Sequence, residues 1–280
     1  MSVAAAVGGL PSPVGFVGAG HVGAPMVERL LVAGHAVRLY ARRAEVRDRL
    51  AAAGAEPVDH PRRLGACPVV VSCLYDDEQM LDVLPGVVRS LEPDAVLVSH
   101  TTGHPSTVEL LAASGRASVV DAPFSGTAEL VRTGRLTVYL GGKPGAVGVA
   151  RRVVGAYANT VIDTGARGTA LRTKLVNNLL FAAIAQVTLN GLAAGRALGI
   201  DEDTLLAALA VGSGGSTAAG HIAARGGAER FSAAVVPFLR KDLAACRDLA
   251  EDTGADLSAL FAVAHDGPMN VGEPVPEGSS

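Results

Sequence analysis

The sequence predicts an α/β domain at the N-terminus that a long helix joins to an all-α domain at the C-terminus. Short β-rich runs alternate with segments of helical period up to about residue 164, as in βαβ units built around a mainly parallel sheet. No strand candidate follows Gly165. Since 280 residues with 49% hydrophobic content can fill two cores, we expect domains at residues 1–164 and 165–280.

The strand candidates of the first domain are short and rich in β-branched residues. In chain order they are PVGFV, AVRLY, AEPV, PVVVSCL, AVLVS, SVVD, LTVYL and TVID. Most of them are separated by segments of helical period. The pattern therefore predicts a doubly wound sheet with helices on its faces.

Helical patterns fill the second domain. A stretch without proline, TALRTKLVNNLLFAAIAQVTLNGLAAGRALG, begins at Thr169 and predicts one long helix that is apolar on most faces. It is followed by DEDTLLAALAVG, with Asp201 and Asp203 as capping candidates, and then by VVPFLRKDLAACRDLAEDTG and ADLSALFAVAHDG. The polar tail GEPVPEGSS is expected to be loose.

Three glycines, Gly18, Gly20 and Gly23, follow the first strand candidate within VGAGHVGAP, and the amphipathic segment APMVERLLVAG comes directly after them. In this setting the first glycine permits a tight turn, the second lets the backbone approach a pyrophosphate, and the third lets the helix pack on the strand. The motif predicts a Rossmann dinucleotide site, to which His21 and Val22 also belong. The alternative is a strand–helix turn that binds no ligand.

The end of the second strand candidate indicates which dinucleotide is preferred. In this fold an acidic residue about twenty positions after the glycines binds the ribose of NAD, whereas arginine accommodates the 2′-phosphate of NADP. Here Ala41 takes the acidic position, and Arg42 and Arg43 follow it. The sequence therefore predicts NADP (NADPH). Arg42 is the stronger candidate, because Arg43 is equally compatible with a solvated position at a helix start.

A second polar turn, in DAPFSGT, follows a later strand candidate. Ligands of doubly wound sheets bind beyond the carboxyl ends of the strands, where this turn is expected. The hydroxyl groups and backbone donors of Ser125, Gly126 and Thr127 suit them to hold a carboxylate. A polar turn without a ligand is the alternative.

Two lysines stand in largely apolar helical segments. In KLVNN, Lys174 and Asn178 lie one helical turn apart, so that their polar ends can share a ligand. Lys174 is either solvated or partly buried with a lowered pKa, and burial would let it exchange protons near neutral pH. In RKDLAAC, Lys241 and Asp242 form a candidate pair, for which an exposed position is equally compatible with the sequence.

Composition and spacing argue against several other classes of protein. With 24 basic and 27 acidic residues and no run of like charge, nucleic acid is not an expected partner. His100 and His104 in SHTTGH have no third ligand at a plausible spacing, so we expect no metal site. The first residues, MSVAAAVGGLPSPV, lack a basic signal region, and polar residues interrupt the apolar long helix. We therefore expect a cytoplasmic protein without a membrane partner.

Four motifs together resemble the β-hydroxyacid dehydrogenase family, which includes 3-hydroxyisobutyrate dehydrogenases and several semialdehyde reductases. They are GFVGAGHVGAPM, DAPFSGT, GTALRTKLVNN and RKDL, in this order and over most of the chain. The resemblance implies a Rossmann domain, a C-terminal domain of the 6-phosphogluconate dehydrogenase type, and reversible hydride transfer between a nicotinamide and a small β-hydroxy acid or its semialdehyde. It also implies a homodimer with interlocking helical halves. The long helix supports this, because it is apolar on more faces than one small helical domain can cover.

The resemblance also implies a role for each candidate residue. Lys174 is the general acid/base on the substrate hydroxyl, and Asn178 positions that oxygen. The Ser125–Thr127 turn holds the substrate carboxylate, and Lys241 lies near the nicotinamide or the substrate. Thr101 and Thr102 stand where the family has a Ser-Thr pair beside the nicotinamide ribose, so they are further cofactor-binding positions. Leu74 is a third.

The sequence departs from the family pattern at three positions. Thr127 stands where a second glycine is usual, Ala170 replaces a glycine ahead of the lysine, and Ser99 replaces an aspartate before the threonine pair. None of these removes a catalytic group. Thr127 is larger than glycine and narrows the anion pocket, so the family pattern does not identify the substrate. Imine reductases are similar in fold and cofactor motif and usually lack this lysine, so an imine reductase is one alternative. A non-catalytic NADP-binding protein is another.

Overall fold

The computed structural model describes residues 11–272, so the expectations for the first ten residues and for the tail from residue 273 onward lie outside the described chain. The chain divides into two compact units, one that extends to Lys174 and one that begins at Leu175. The division predicted from the sequence, between residues 164 and 165, lies slightly earlier, at the end of the last strand.

The first unit is built on a nine-stranded sheet. Its strands are β1 (Val14–Val17), β2 (Val37–Tyr40), β3 (Glu56–Pro57), β4 (Val69–Ser72), β5 (Val96–Ser99), β6 (Ser118–Asp121), β7 (Phe124–Ser125), β8 (Leu136–Gly141) and β9 (Ala158–Gly165). Their order is β3-β2-β1-β4-β5-β6-β8-β7, and β9 pairs with β8. The first six strands are parallel, and β8 is antiparallel to both β6 and β7. In this doubly wound order, ligands bind beyond the carboxyl ends of β1 and β4.

Helices cover both faces of the sheet, as the alternating sequence pattern predicts. They are α1 (Gly23–Val32), α2 (Ala44–Ala52), α3 (Asp77–Ser90), α4 (Pro105–Ala113), α5 (Ala128–Arg132) and α6 (Pro144–Val154), with a 3₁₀ helix at Pro61–Ala66. One core cluster contains Phe16, Leu39 and Tyr157, and a second contains Leu84 and Leu97. The central strands β4 and β5 are buried along their whole length, because helices pack on both sides of them.

Among its described residues the second unit contains helices joined by loops and no strand, as predicted. The long helix α7 (Thr169–Ala197) leads into it, followed by α8 (Glu202–Val211), α9 (Thr217–Ala224), α10 (Ala228–Thr253) and α11 (Ser258–His265). Its core includes Leu179, Phe231 and Leu239. Asp201 caps α8 by accepting a hydrogen bond from the backbone N–H of Thr204 at 3.1 Å, which confirms it as the capping residue.

Three features differ from the sequence expectations. The strand β7 is only two residues long, so no alternation could reveal it. The helix α9 was not predicted, because its sequence, TAAGHIAA, is short and contains glycine. The helix α10 begins well before the predicted VVPF and continues through Pro237, since Phe231, Val235 and Leu239 form one buried face across the proline.

Candidate active site

The glycine loop after β1 has the geometry that a dinucleotide requires. Gly18 has a φ of +89°, and a Cβ there would lie 2.3 Å from the carbonyl oxygen of Cys73. A Cβ on Gly23 would lie 2.2 Å from the carbonyl oxygen of Gly18, so this glycine lets α1 begin close to β1. The Cβ position of Gly20, in contrast, has no atom within 4 Å. The loop therefore combines a tight turn, close packing and open space for a pyrophosphate.

A cleft of about 350 Å³ opens beside this loop and is rich in arginine. Arg43, at the start of α2, lines it, and Arg42 does not. Arg49 also lines the cleft and is paired with the carboxylate of Glu28. The full lining is Gly20, His21, Ala24, Pro25, Glu28, Arg43, Val46, Arg49 and Arg132. Guanidinium groups next to an open glycine loop fit a phosphate-bearing cofactor.

The other cofactor-binding candidates lie after neighbouring strands. Thr101, which follows β5, donates a hydrogen bond from Oγ1 to the carbonyl oxygen of Leu74, which follows β4, at 3.1 Å. Thr101 is buried and Thr102 is half-buried. Val22 immediately precedes α1. The structure thus places these candidates beyond the carboxyl ends of the parallel strands, where the fold binds its ligands.

The Ser125–Thr127 turn is shaped by glycine. Gly126 has a φ of +139°, and a Cβ there would lie 2.8 Å from Cδ1 of Leu136, so a residue with a side chain would be strained at this position. Thr127 precedes α5, and its Oγ1 accepts a hydrogen bond from the backbone N–H of Leu130 at 3.4 Å. The hydroxyl of Thr127 therefore caps this helix, while Ser125 is half-buried.

Lys174 contacts this turn. Its Nζ donates a hydrogen bond to Oγ of Ser125 at 3.0 Å, and the lysine is only 8% exposed. The hydroxyl of Tyr139 lies 3.3 Å from the same Ser125 Oγ. The sequence is compatible with either a solvated or a buried Lys174, and in the structure it is buried. Its ammonium group contacts the turn that is predicted to bind a carboxylate.

The second unit holds a separate polar chain. Asn178 donates a hydrogen bond from Nδ2 to Oδ2 of Asp242 at 2.6 Å, and Nζ of Lys241 donates to Oδ1 of the same carboxylate at 2.7 Å. Asn178 and Asp242 are each 4% exposed. The Lys241–Asp242 pair is thus not an exposed surface pair. Its carboxylate orients the amide of Asn178.

His100 is a buried structural residue. Its Nδ1 lies 2.5 Å from the carbonyl oxygen of Ala122 and its Nε2 lies 2.8 Å from the hydroxyl of Tyr157. A carbonyl oxygen only accepts, so Nδ1 carries the proton and Nε2 accepts from Tyr157. Burial lowers the pKa of His100 to about 4, against the opposing hydrogen bond to Ala122. The second histidine, His104, caps α4 by accepting from the backbone N–H of Ser106.

Two residues were not predicted from the sequence: Tyr139 contacts the candidate site, and Asp121 contacts the start of the helix that carries Lys174. Tyr139 reaches Ser125 because β7 pairs with β8, with Ser125 opposite Thr137, and that pairing has no signal in the sequence. Asp121 opens the DAPFSGT motif but has no partner nearby in the sequence. It accepts hydrogen bonds from the backbone N–H groups of Gly168 and Leu171, at 2.8 and 3.0 Å.

The described residues, 11–272, also bear on metal binding and on membrane insertion. No group of three or more histidine, cysteine, aspartate or glutamate residues within this range is placed to hold a metal ion. One described helix, α7, has the length and apolarity of a membrane span, and half of its most apolar window is buried within the protein. One such helix is weak evidence of a membrane span, since length and composition alone do not distinguish a span from a core helix.

Comparison with known families agrees with this geometry. Residues 13–165 match the family described as the NAD binding domain of 6-phosphogluconate dehydrogenase. Residues 168–265 match the family described as NAD-binding of NADP-dependent 3-hydroxyisobutyrate dehydrogenase. The two matches meet between β9 and α7, and together they cover both units of the chain.

The chain is also similar to individual dehydrogenases and reductases. The chain is 28% identical over 238 residues to a 3-sulfolactaldehyde reductase of Escherichia coli, covering 82% of this chain and 79% of that protein. It is 30% identical over 211 residues to an L-threonate dehydrogenase of Cupriavidus necator, covering 72% and 71%.

Solved structures share the fold. A 3-hydroxyisobutyrate dehydrogenase of Salmonella typhimurium has a TM-score of 0.76 at 22% identity, covering 90% of this chain and 91% of that chain. An imine reductase of a Pseudomonas species has a TM-score of 0.62 at 21% identity, covering 92% and 100%. At these identities the likeness concerns the fold alone.

Proposed function

Because the chain belongs to the β-hydroxyacid dehydrogenase family of NAD(P)-dependent oxidoreductases, we propose that it interconverts a small β-hydroxy acid and its semialdehyde with NADP. One observation carries the proposal: Nζ of the buried Lys174 donates to Oγ of Ser125 at 3.0 Å. A proton-transferring group thereby lies beside a turn suited to a carboxylate. A substrate that carries both a carboxylate and a hydroxyl group matches this pair of functions.

The residues of the first unit divide the work. Ser125 and the turn of Gly126 and Thr127 bind the substrate carboxylate through hydroxyl and backbone donors. Lys174 takes the proton from the substrate hydroxyl during oxidation and returns it during reduction. A bound nicotinamide supplies or accepts the hydride, and the protein orients the substrate and moves the proton.

The family resemblance assigns Asn178, in the second unit, to position the substrate oxygen. It lies one helical turn after Lys174 on α7, and its amide is held by Asp242, which Lys241 holds in turn. This chain restricts the rotation of the Asn178 side chain, so less entropy is lost when substrate binds. Lys241 adds positive charge suited to a carboxylate or to the nicotinamide ribose.

NADP is the proposed cofactor form. No carboxylate occupies the ribose-binding position, since Ala41 stands there and two arginines follow it. Arg43 lines the cleft beside the glycine loop together with Arg49 and Arg132. This concentration of guanidinium groups favours a 2′-phosphate over a free 2′-hydroxyl.

A homodimer in the cytoplasm is the proposed state of the protein. Four apolar residues of α7 follow one another along a single face of the helix and remain exposed: Val176, Leu180, Ile184 and Val187, at 39%, 42%, 44% and 59%. A second copy of the chain is the proposed partner for this stripe, because a dimer buries such a surface symmetrically.

A substrate panel tests the function. Purified protein is mixed with NADPH or NADH and with 3-sulfolactaldehyde or tartronate semialdehyde. In the reverse direction it is mixed with the oxidised cofactors and with 3-hydroxyisobutyrate or L-threonate. The change in cofactor absorbance is then followed. We expect turnover of at least one carboxylate- or sulfonate-bearing substrate, faster with the phosphorylated cofactor.

The same panel separates the two rival functions. A cyclic imine reduced faster than every aldehyde would identify an imine reductase, for which the shared fold is the supporting observation. Binding of NADPH without turnover of any compound would identify a non-catalytic cofactor-binding protein. Either result would contradict the proposal.

A further inference from the structure

The start of α7 is anchored by a buried carboxylate. Asp121, the last residue of β6, is fully buried. Its Oδ1 accepts from the backbone N–H of Gly168 at 2.8 Å and its Oδ2 accepts from that of Leu171 at 3.0 Å. Both oxygens act as acceptors, which is the pattern of an ionised carboxylate. Charge at this position also stabilises the N-terminus of the 29-residue helix.

The same aspartate lies four residues before Ser125, and Leu171 lies three residues before Lys174. The hydrogen bond from Leu171 to Asp121 and the hydrogen bond from Lys174 to Ser125 therefore close a ring. One side of this ring is the first turn of α7, and the other is the segment from Asp121 to Ser125. A shift of α7 against that segment must break at least one of the two bonds.

The segment between Asp121 and Ser125 is itself held firmly. The backbone N–H of Ala122 donates to the carbonyl oxygen of Ser99 at 2.7 Å, and its carbonyl oxygen accepts from His100. The carbonyl oxygen of Pro123 accepts from the backbone N–H of Tyr139 at 3.0 Å. The first turn of α7 is the other side of the ring, and Asp121 holds it through the backbone N–H groups of Gly168 and Leu171.

We propose that Asp121 is a positioning residue: it fixes the first turn of α7 so that Nζ of Lys174 stays in contact with Oγ of Ser125. The proposal rests on the function proposed for Lys174 and adds to it. A fixed ammonium group loses less entropy on reaching the transition state, which is where accurate positioning raises the rate.

Two variants disturb this anchor in different ways. In Asp121→Asn an amide NH₂ replaces one acceptor and faces a backbone N–H, so one hydrogen bond is lost without a change in size. In Gly141→Ala the carboxylate is unchanged, but the added Cβ would lie 2.7 Å from its Oδ1. Val153→Ala is the control, because it removes buried volume from α6 and leaves the ring untouched.

Amide hydrogen exchange of residues 168–174, measured by mass spectrometry on the protein without cofactor, reports on the anchor alone. We expect exchange to be faster by about tenfold or more in Asp121→Asn and Gly141→Ala than in Val153→Ala. The two variants together keep the test decisive if one of them fails to fold. Unchanged exchange in a folded variant would overturn the proposal.

Kinetics then distinguish positioning from a structural role. In Asp121→Asn and Gly141→Ala we expect kcat, calculated per cofactor-binding site, to fall by about tenfold or more. The solvent deuterium isotope effect on kcat should rise, because proton transfer becomes slower. The Kd of NADPH should stay within about twofold of the wild-type value. Faster exchange with unchanged kcat and isotope effect would reduce Asp121 to a helix cap. Full turnover by Lys174→Ala would instead refute the function of the lysine, while the exchange result would still decide whether Asp121 holds the turn.

Discussion

At the scale of single residues, the two arginines after β2 differ in their surroundings. The sequence favours Arg42 as the 2′-phosphate ligand, but Arg43 lines the cleft beside Gly20 and His21. Arg43 forms an ion pair with Glu45 at 3.8 Å, and because both side chains are exposed this pair is weak and a phosphate can compete with it. A residue-by-residue measurement of cofactor affinity separates the two.

We expect Arg43→Ala to weaken NADPH binding by about 1.5 to 3 kcal/mol, the range for a lost hydrogen bond to a charged group, with a smaller loss for Arg42→Ala. Binding of NADH should change little, because it has no 2′-phosphate. Isothermal titration gives both Kd values, and Arg135→Ala, an exposed arginine bonded to Thr133, is the control. Equal losses for NADPH and NADH would show that neither arginine contacts the 2′-phosphate.

His100 makes stability depend on pH. Its pKa in the folded protein is about 4, against an ordinary value of 6.5, because burial disfavours the charged imidazole. Between these values the unfolded chain binds a proton that the folded protein does not. Stability is therefore greatest above about pH 6.5 and is lost as the pH falls towards 4.

We expect the free energy of unfolding in urea to fall by roughly 2 to 3 kcal/mol through His100 alone between about pH 7.5 and about pH 4.5. The variant His100→Gln keeps one hydrogen-bonding side chain and cannot titrate. It should be less stable than the wild type at neutral pH, but its stability should fall less on acidification. The same fall in both proteins would refute the assignment.

At the scale of elements, the buried side chain of Gln186 on α7 makes three hydrogen bonds to the end of the second unit. Gln186 is fully buried, donates from Nε2 to the carbonyl oxygens of Ala264 and Met269 at 3.0 and 2.7 Å, and accepts from the backbone N–H of Met269 at 3.0 Å. Gly267 allows this approach, since a Cβ there would lie 2.5 Å from Oε1 of the glutamine. The hydrogen bonds of Gln186 therefore hold the segment after α11 against α7.

We expect Gln186→Leu to lower the free energy of unfolding by about 3 kcal/mol, because it leaves buried backbone groups without partners. Asn190→Ala is the matched control. It removes one hydrogen bond from α7 to the same segment, at Asp266, from an exposed position and should cost less than about 1 kcal/mol. Urea denaturation measures the free energy of unfolding of both variants. Equal losses of stability would show that the burial of Gln186 does not determine how much it stabilises the fold.

The elements also show what the sequence can predict. The strands β1, β4 and β5 were predicted correctly because each is a compact apolar run next to glycine, proline or polar turns. Lys174 and Ser125 were each predicted as site residues from a local motif. Their hydrogen bond, and those of Asp121 to Gly168 and Leu171, join residues about fifty positions apart, and no local pattern encodes such contacts.

At the scale of the whole molecule, the apolar stripe of α7 bears on assembly. We expect a mass near twice the monomer value of 28.2 kDa in light scattering at micromolar concentration. The double variant Leu180→Glu and Ile184→Glu should shift the mass towards the monomer, since it places charge on the stripe. Val32→Glu, at an exposed position of α1, is the control. A wild-type mass near 28.2 kDa would contradict the dimer.

The central claim is that Lys174 moves the proton of the substrate hydroxyl, and turnover of Lys174→Ala tests it most directly. With the best substrate of the panel, kcat should fall by about 10²- to 10⁴-fold, the usual contribution of a positioned acid–base group, while the Kd of NADPH stays unchanged. Lys143→Ala, at an exposed position before α6, should keep wild-type turnover. Near-normal turnover by Lys174→Ala would contradict the account.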